Sequence, residues 1–132
     1  MSPTEAWSAL STDAAAQLLD VRTVAEWAYV GLADLSGIGK TPITIEWKQF
    51  PTMAVNDRFV DLAVAAGARK DAAIYFLCRS GVRSRDAALV MTQRGYGPCF
   101  NIATGFEGDH DASGHRGTVG GWKVEGLPWK QG

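Results

Sequence analysis

The sequence predicts an α/β domain with a largely parallel sheet and helices on both faces. Two compact apolar runs, Gln17-Leu18-Leu19-Asp20-Val21 and Ala72-Ala73-Ile74-Tyr75-Phe76-Leu77, have the composition of buried strands. Each passes into a polar stretch that opens a helical pattern, and this alternation of strand and helix is the signature of a sheet covered on both sides. The 132 residues suffice for one core without disulfides or a structural metal, so a single domain over 1–132 is expected, and no internal repeat is visible.

Ser2-Pro3-Thr4-Glu5 starts a short first helix, with Ser2 as cap and Pro3 in the first turn. The first strand ends at Arg22-Thr23. Thr23, with Glu26 three residues on, caps a helix expected to carry Val24, Trp27 and Ala28 inward. Residues 31–51 read as loop, punctuated by Gly31, Gly37, Gly39, Pro42 and Pro51, except that the alternation of Ile43-Thr44-Ile45-Glu46-Trp47 predicts a second strand. Asn56 or Asp57 begins a helix in which Phe59, Val60, Leu62, Ala63 and Ala66 recur at helical spacing, and Gly67 stops it.

Residues 72–77 form the expected central strand, and residues 84–94 a helix with Ala87, Ala88, Val90 and Met91 inward, ended by Gly95. Pro98-Cys99-Phe100-Asn101-Ile102 reads as the last strand. Residues 105–121 hold six glycines, acidic side chains and both histidines, which predicts a surface loop or loosely helical insertion. Trp122, Leu127 and Trp129 are expected to pack it back. All five tryptophans are assigned to the core or its rim.

With 13 Lys plus Arg against 14 Asp plus Glu and no long run of one sign, a nucleic-acid partner is not indicated. The apolar stretches at 62–68 and 72–78 fall far short of the roughly 20 residues a membrane span needs. Residues 1–5 lack the features of a signal peptide, and a cytoplasmic location is expected. Cys78 and Cys99 are the two cysteines, too few for a disulfide scaffold and spaced unlike a zinc motif.

Cys78 stands where a buried strand gives way to a short polar loop and then a helix. Backbone N–H groups converge there and the helix dipole is positive, so the place favours an anion. Arg79 and Arg83 add positive charge and Gly81 allows a tight turn, which together predict thiolate character, the reactive form of cysteine. The same donors would stabilise a persulfide anion. Cys99, beside Pro98 and Phe100 with no basic neighbour, is expected only to pack.

Four residues separate Cys78 from Arg83. Cysteine phosphatases use a longer interval that encircles phosphate, so the tighter ring favours sulfur over a tetrahedral oxyanion. Asp109, His110, Asp111 and His115 lack ordered ligand spacing and are assigned to a solvated loop, with no metal site.

FLCRSGVRS at 76–84 resembles the active loop of the rhodanese family, and LLDVRTVAEW at 18–27 resembles its Asp-Val-Arg-x-x-x-Glu-aromatic stretch. NIATGF at 101–106 and GLPW at 126–129 are similar to its final strand, glycine turn and closing segment. The resemblance implies a parallel sheet between helices, Cys78 as persulfide-bearing nucleophile, and Arg79, Ser80, Gly81, Val82 and Arg83 as the anion-binding loop. Three departures stand out. Gly31-Leu32-Ala33 replaces the family's Gly-His-Ile, Thr104-Gly105 replaces its Gly-Gly, and about a dozen extra residues precede Trp122.

Asp20, Arg22 and Glu26 are candidates for supporting the site, with Arg22 and Glu26, four residues apart, expected to pair and brace the turn. Arg116 is a candidate for the pocket rim. The function expected is sulfur transfer without metal or organic cofactor, from a donor such as thiosulfate to a thiol, cyanide or a protein acceptor. The rivals are a cysteine phosphatase or arsenate reductase using the same loop, and a non-enzymatic sulfur carrier or partner-binding module. Residues 108–117 are expected to form a rim that selects donors or acceptors.

Overall fold

A computed structural model of the chain describes residues 1–131; Gly132, the end of the expected domain, lies outside the described residues. The elements in order are α1 (Pro3–Thr12), β1 (Gln17–Asp20), α2 (Val24–Tyr29), β2 (Leu32–Ala33), β3 (Ile43–Thr44), β4 (Lys48–Gln49), β5 (Ala54–Val55), α3 (Phe59–Ala65), β6 (Ile74–Leu77), α4 (Val82–Gln93), β7 (Cys99–Asn101) and β8 (Trp129–Lys130). The central sheet has the order β3-β1-β6-β7, and every pair in it is parallel. Leu19 faces Phe76 across the inner pair, and Phe76 in turn faces Asn101.

Strand alternation divides the core between the two faces of the sheet. Leu19, Val21, Ile74, Phe76 and Cys78 point toward α3 and α4, where Phe59, Val60, Ala63, Ala87, Ala88 and Met91 cover them. Leu18, Tyr75 and Leu77 point the other way, against Ala6 and Leu10 of α1 and against Phe106 and Trp122 of the tail. Helices therefore lie on both faces, as expected. Cys78 continues the Ile74 and Phe76 side of β6 past the strand end, which aims it at α4.

Both cap assignments agree with the structure. Ser2 and Glu5 form a reciprocal capping box on α1, and Thr23 and Glu26 form one on α2. Several element boundaries, and the order of the last strands, differ from expectation. α4 begins at Val82, earlier than the expected Ser84, because Gly81 at φ +105° makes the turn into the helix. α3 begins at Phe59; Asn56 instead makes a local turn, its Oδ1 accepting from the Arg58 N–H at 3.0 Å. The Ile43–Trp47 strand keeps strand assignment only at Ile43–Thr44, although the N–H groups of Ile45 and Trp47 still donate to Asp20 and Val21. Pro98–Ile102 is not the last strand, since β8 pairs antiparallel with β2.

The expected inward face of α2 is also corrected. Val24 and Ala28 are exposed and Trp27 is half-buried. A helix of six residues lying beyond the end of β1 does not reach across the sheet, and it turns Glu26 toward α4 instead. Ala66, expected at a core spacing, is likewise exposed. Among the described residues no helix is long and apolar enough to cross a membrane.

Candidate active site

Cys78 is 1 % exposed at the C-terminal end of β6. Its Sγ accepts the Gly81 N–H at 3.1 Å, and the Ser84 Oγ lies 3.2 Å from it. α4 runs for 12 residues away from the sulfur and has no side-chain cap, so the positive end of its dipole faces the loop. The Gly81 N–H, a hydroxyl able to turn toward it and a helix N-terminus around one sulfur form a setting that stabilises negative charge there.

The loop is held from behind by the tail. The Phe106 N–H donates to the Cys78 carbonyl at 2.8 Å, and the N–H groups of Glu107 and Gly108 donate to the Arg79 carbonyl at 3.0 and 3.1 Å. Gly105 makes this approach possible, because a Cβ there would lie 2.5 Å from both carbonyl oxygens. Position 104 is exposed, which explains why Thr104 is accommodated where a second glycine was expected. Gly81 has the same kind of constraint: a Cβ on it would overlap the Ala103 carbonyl.

The loop opens on a cavity of about 470 Å³ lined by Glu26, Lys48, Met53, Cys78, Arg79, Ser80, Val82, Arg83 and Arg116. Of the candidate residues, the structure thus gathers Cys78, Arg79, Ser80, Val82, Arg83, Glu26 and Arg116 around one space. Gly81 is buried beneath it and contributes its N–H. His110 and His115 are exposed and do not line it. Asp111 organises that segment: its carboxylate accepts from the N–H groups of Ser113 and His115 and from the Thr118 hydroxyl.

The expected Arg22–Glu26 pair is not formed. Glu26 instead binds Arg83 at two points, Oε1 to Nη1 at 2.6 Å and Oε2 to Nη2 at 2.9 Å. Burial acts to raise the Glu26 carboxyl, but the hydrogen bonds and charge of Arg83, with the Thr23 N–H, outweigh it and hold the group below the ordinary glutamate range. Burial acts to lower the Arg83 guanidinium, and Glu26 more than offsets it. Helical spacing suggested the wrong partner because Arg22 lies outside α2 and folds back onto its own strand.

Arg22 and Asp20 are fully buried against each other, with Nη2 2.7 Å from Oδ2 and Nε 2.9 Å from Oδ1. Nη2 also donates to the Gly31 carbonyl at 2.7 Å, and the guanidinium stacks 4.3 Å from the Phe106 ring centre. Neither residue lines the cavity. Their contacts join the end of β1, the turn before β2 and the tail.

Sequence reasoning missed four residues of this site. Ser84 and Asn101 stand behind the sulfur, with Ser84 Oγ donating to Asn101 Oδ1 at 2.5 Å and Asn101 Nδ2 donating to the Gly81 carbonyl at 3.0 Å. Lys48 and Met53, from the hairpin that β4 and β5 form, line the cavity wall. Ser84 lay within reach of sequence reasoning, six residues after Cys78 on the helix that closes the loop; the hairpin carried no such signal. Cys99 is half-buried, its thiol pushed up by burial, and it donates to the Tyr96 carbonyl at 3.4 Å.

The architecture matches a rhodanese-like domain protein from Staphylococcus aureus with a TM-score of 0.59, at 22 % identity, covering 80 % of this chain and 84 % of that one. The likeness is one of fold. The chain belongs to the STR4 middle domain family, whose model matches residues 1–132. The crystal structure of Rv0390 from M. tuberculosis superposes with a TM-score of 0.92 at 43 % identity, covering 100 % of this chain and 96 % of that one. An uncharacterized protein of Rickettsia prowazekii, RP600, is 38 % identical over 128 residues, 96 % of this chain and 93 % of its own. RC0915 of Rickettsia conorii is similar to the same extent.

Proposed function

We propose that this chain is a sulfurtransferase in which Cys78 carries the sulfur as a persulfide. The observation that carries the reading is Cys78 Sγ at the uncapped N-terminus of α4, accepting the Gly81 N–H with the Ser84 hydroxyl within reach. In the first displacement the Cys78 thiolate attacks the outer sulfur of thiosulfate. The bond between the two thiosulfate sulfurs breaks, its electron pair leaves with sulfite, and Cys78 holds a persulfide anion. In the second, an acceptor thiolate attacks the outer sulfur of the protonated persulfide, and the electron pair of the broken S–S bond returns to Cys78 as thiolate. The Gly81 N–H, and the Ser84 hydroxyl once it turns toward the sulfur, assist both halves, because each half begins or ends with charge on Sγ.

The rival phosphatase reading is weakened by Arg83. Its fork is already engaged at two points by Glu26, so it is not free to clamp an oxyanion in the same way.

Mass spectrometry after exposure to thiosulfate tests the proposal. One added sulfur is expected, on Cys78, removable by cyanide or a thiol; it should be absent from Cys78→Ser and retained in Cys99→Ser. Sulfur found only on Cys99, or on neither cysteine, would overturn the mechanism. Loading without release to any thiophile would favour the carrier reading.

A further inference from the structure

The cavity above Cys78 is larger than an inorganic donor needs. Its volume of about 470 Å³ lies in the range of sites for small organic ligands, roughly 300–1,000 Å³, and thiosulfate would leave most of it empty. Two apolar side chains share the wall, Val82 at 59 % exposure and Met53 at 40 %, and neither gains anything from an inorganic dianion.

The charges of the lining are unequal. Arg83 is answered by Glu26, whereas Lys48, Arg79 and Arg116 have no carboxylate within ion-pair distance among the described residues. They come from three separate elements: the β4–β5 hairpin, the Cys78 loop and the tail. Arg116 is fixed by donating Nη1 to the Gly108 carbonyl at 2.7 Å, which leaves the rest of its fork available. Cations gathered from distant parts of the chain around one low-exposure sulfur repel one another, and a bound polyanion relieves that repulsion.

We infer that the sulfur acceptor is a small organic thiol bearing at least two carboxylates, its thiolate directed to Cys78 and its carboxylates bound by Lys48 and Arg116. This rests on the sulfurtransferase reading above. Met53 and Val82 pack on the acceptor's carbon skeleton, and Met53, unbranched and adaptable, suits that role. In the transfer, the acceptor thiolate forms a bond to the outer sulfur of the Cys78 persulfide, the Cys78 S–S bond breaks, and its electron pair remains on Sγ. The proton of the persulfide stays on the transferred sulfur.

The test loads Cys78 with thiosulfate, confirms the added sulfur by mass, and then measures the rate of its loss to a series of thiols of graded charge. Cysteamine is cationic, mercaptoethanol neutral, thioglycolate carries one carboxylate and mercaptosuccinate two. Each rate is compared between the parent and Lys48→Gln or Arg116→Gln, a ratio that cancels the intrinsic nucleophilicity of the thiol. For mercaptosuccinate the ratio should be about tenfold larger than for mercaptoethanol, reflecting one lost charge-assisted contact. For cysteamine it should be inverted. Added salt should compress the difference, and Arg116→Lys, which keeps the charge, should restore most of it. A common factor for all thiols in both variants, with normal loading, would overturn this inference alone. Failure of Cys78 to take up sulfur would overturn the function and this inference together.

Discussion

Ser84 Oγ lies between two partners, 3.2 Å from Cys78 Sγ and 2.5 Å from Asn101 Oδ1. Ser84 is fully buried, so its single hydroxyl proton has no water to fall back on. When charge develops on Sγ, rotation of the hydroxyl toward sulfur stabilises it, at the expense of the bond to Asn101. Ser84→Ala removes one donor to an anionic sulfur, worth about 1.5–3 kcal/mol. The alkylation of Cys78 by iodoacetamide near neutral pH, and its loading from thiosulfate, should each slow by about tenfold or more. Unchanged rates in a folded variant would mean that the hydroxyl serves only Asn101.

The Glu26–Arg83 pair makes stability depend on pH in a defined direction. The Glu26 carboxyl is held lower in the folded chain than in the unfolded one, so the unfolded state binds its proton first as the solution is acidified. The contribution is complete above the unfolded carboxylate range and is lost as pH falls through the folded value. Glu26→Gln should cost about 1–3 kcal/mol at neutral pH and flatten the acid limb of a melting-temperature profile. An acid limb identical to the parent's would show that other carboxylates govern it.

Asp20 and Arg22 predict a structural penalty without a specific chemical one. Asp20→Ala leaves a buried guanidinium uncompensated, a change that costs about 3–5 kcal/mol. Denaturant unfolding should show the loss, and conditions that keep the variant folded should leave Cys78 able to load sulfur. Full stability with loss of loading would instead place the pair in the chemistry.

Gly105 and Thr104 should differ sharply in their tolerance of exchange. Gly105→Ala meets two carbonyl oxygens of the Cys78 loop at 2.5 Å, at a backbone φ of +67°. Strain and overlap together predict a loss of about 2–6 kcal/mol, with slower alkylation of Cys78 as the loop shifts. Thr104→Gly, at an exposed position, should cost less than about 1 kcal/mol. Equal tolerance of both exchanges would mean that the tail does not hold the loop.

Features encoded by neighbours along the chain were legible in the sequence. The runs that became β1 and β6, the Ser2 cap, the pairing of Thr23 with Glu26 and the strand-loop-helix around Cys78 all depend on spacing within a few residues. Local periodicity and capping act before any tertiary contact forms, so a sequence reading can recover them. The parallel α/β class followed from their alternation.

Contacts between distant segments were decided only by the folded structure. Glu26 finds Arg83 across 57 residues, Ser84 finds Asn101 across 17, and Leu32 pairs with Lys130 through strands too short to show a period. Arg22 had two carboxylates within reach along the chain, and burial against Phe106 selected Asp20 over the helical neighbour Glu26. Lys48 and Met53 reach the cavity because a hairpin with no hydrophobic pattern of its own folds over the ends of the strands. The sequence by itself determined the sheet and the position of its cysteine, since both arise from short-range pattern. Which charges surround that cysteine was decided by tertiary packing, because an ion pair depends on where side chains meet in space and not on their separation along the chain.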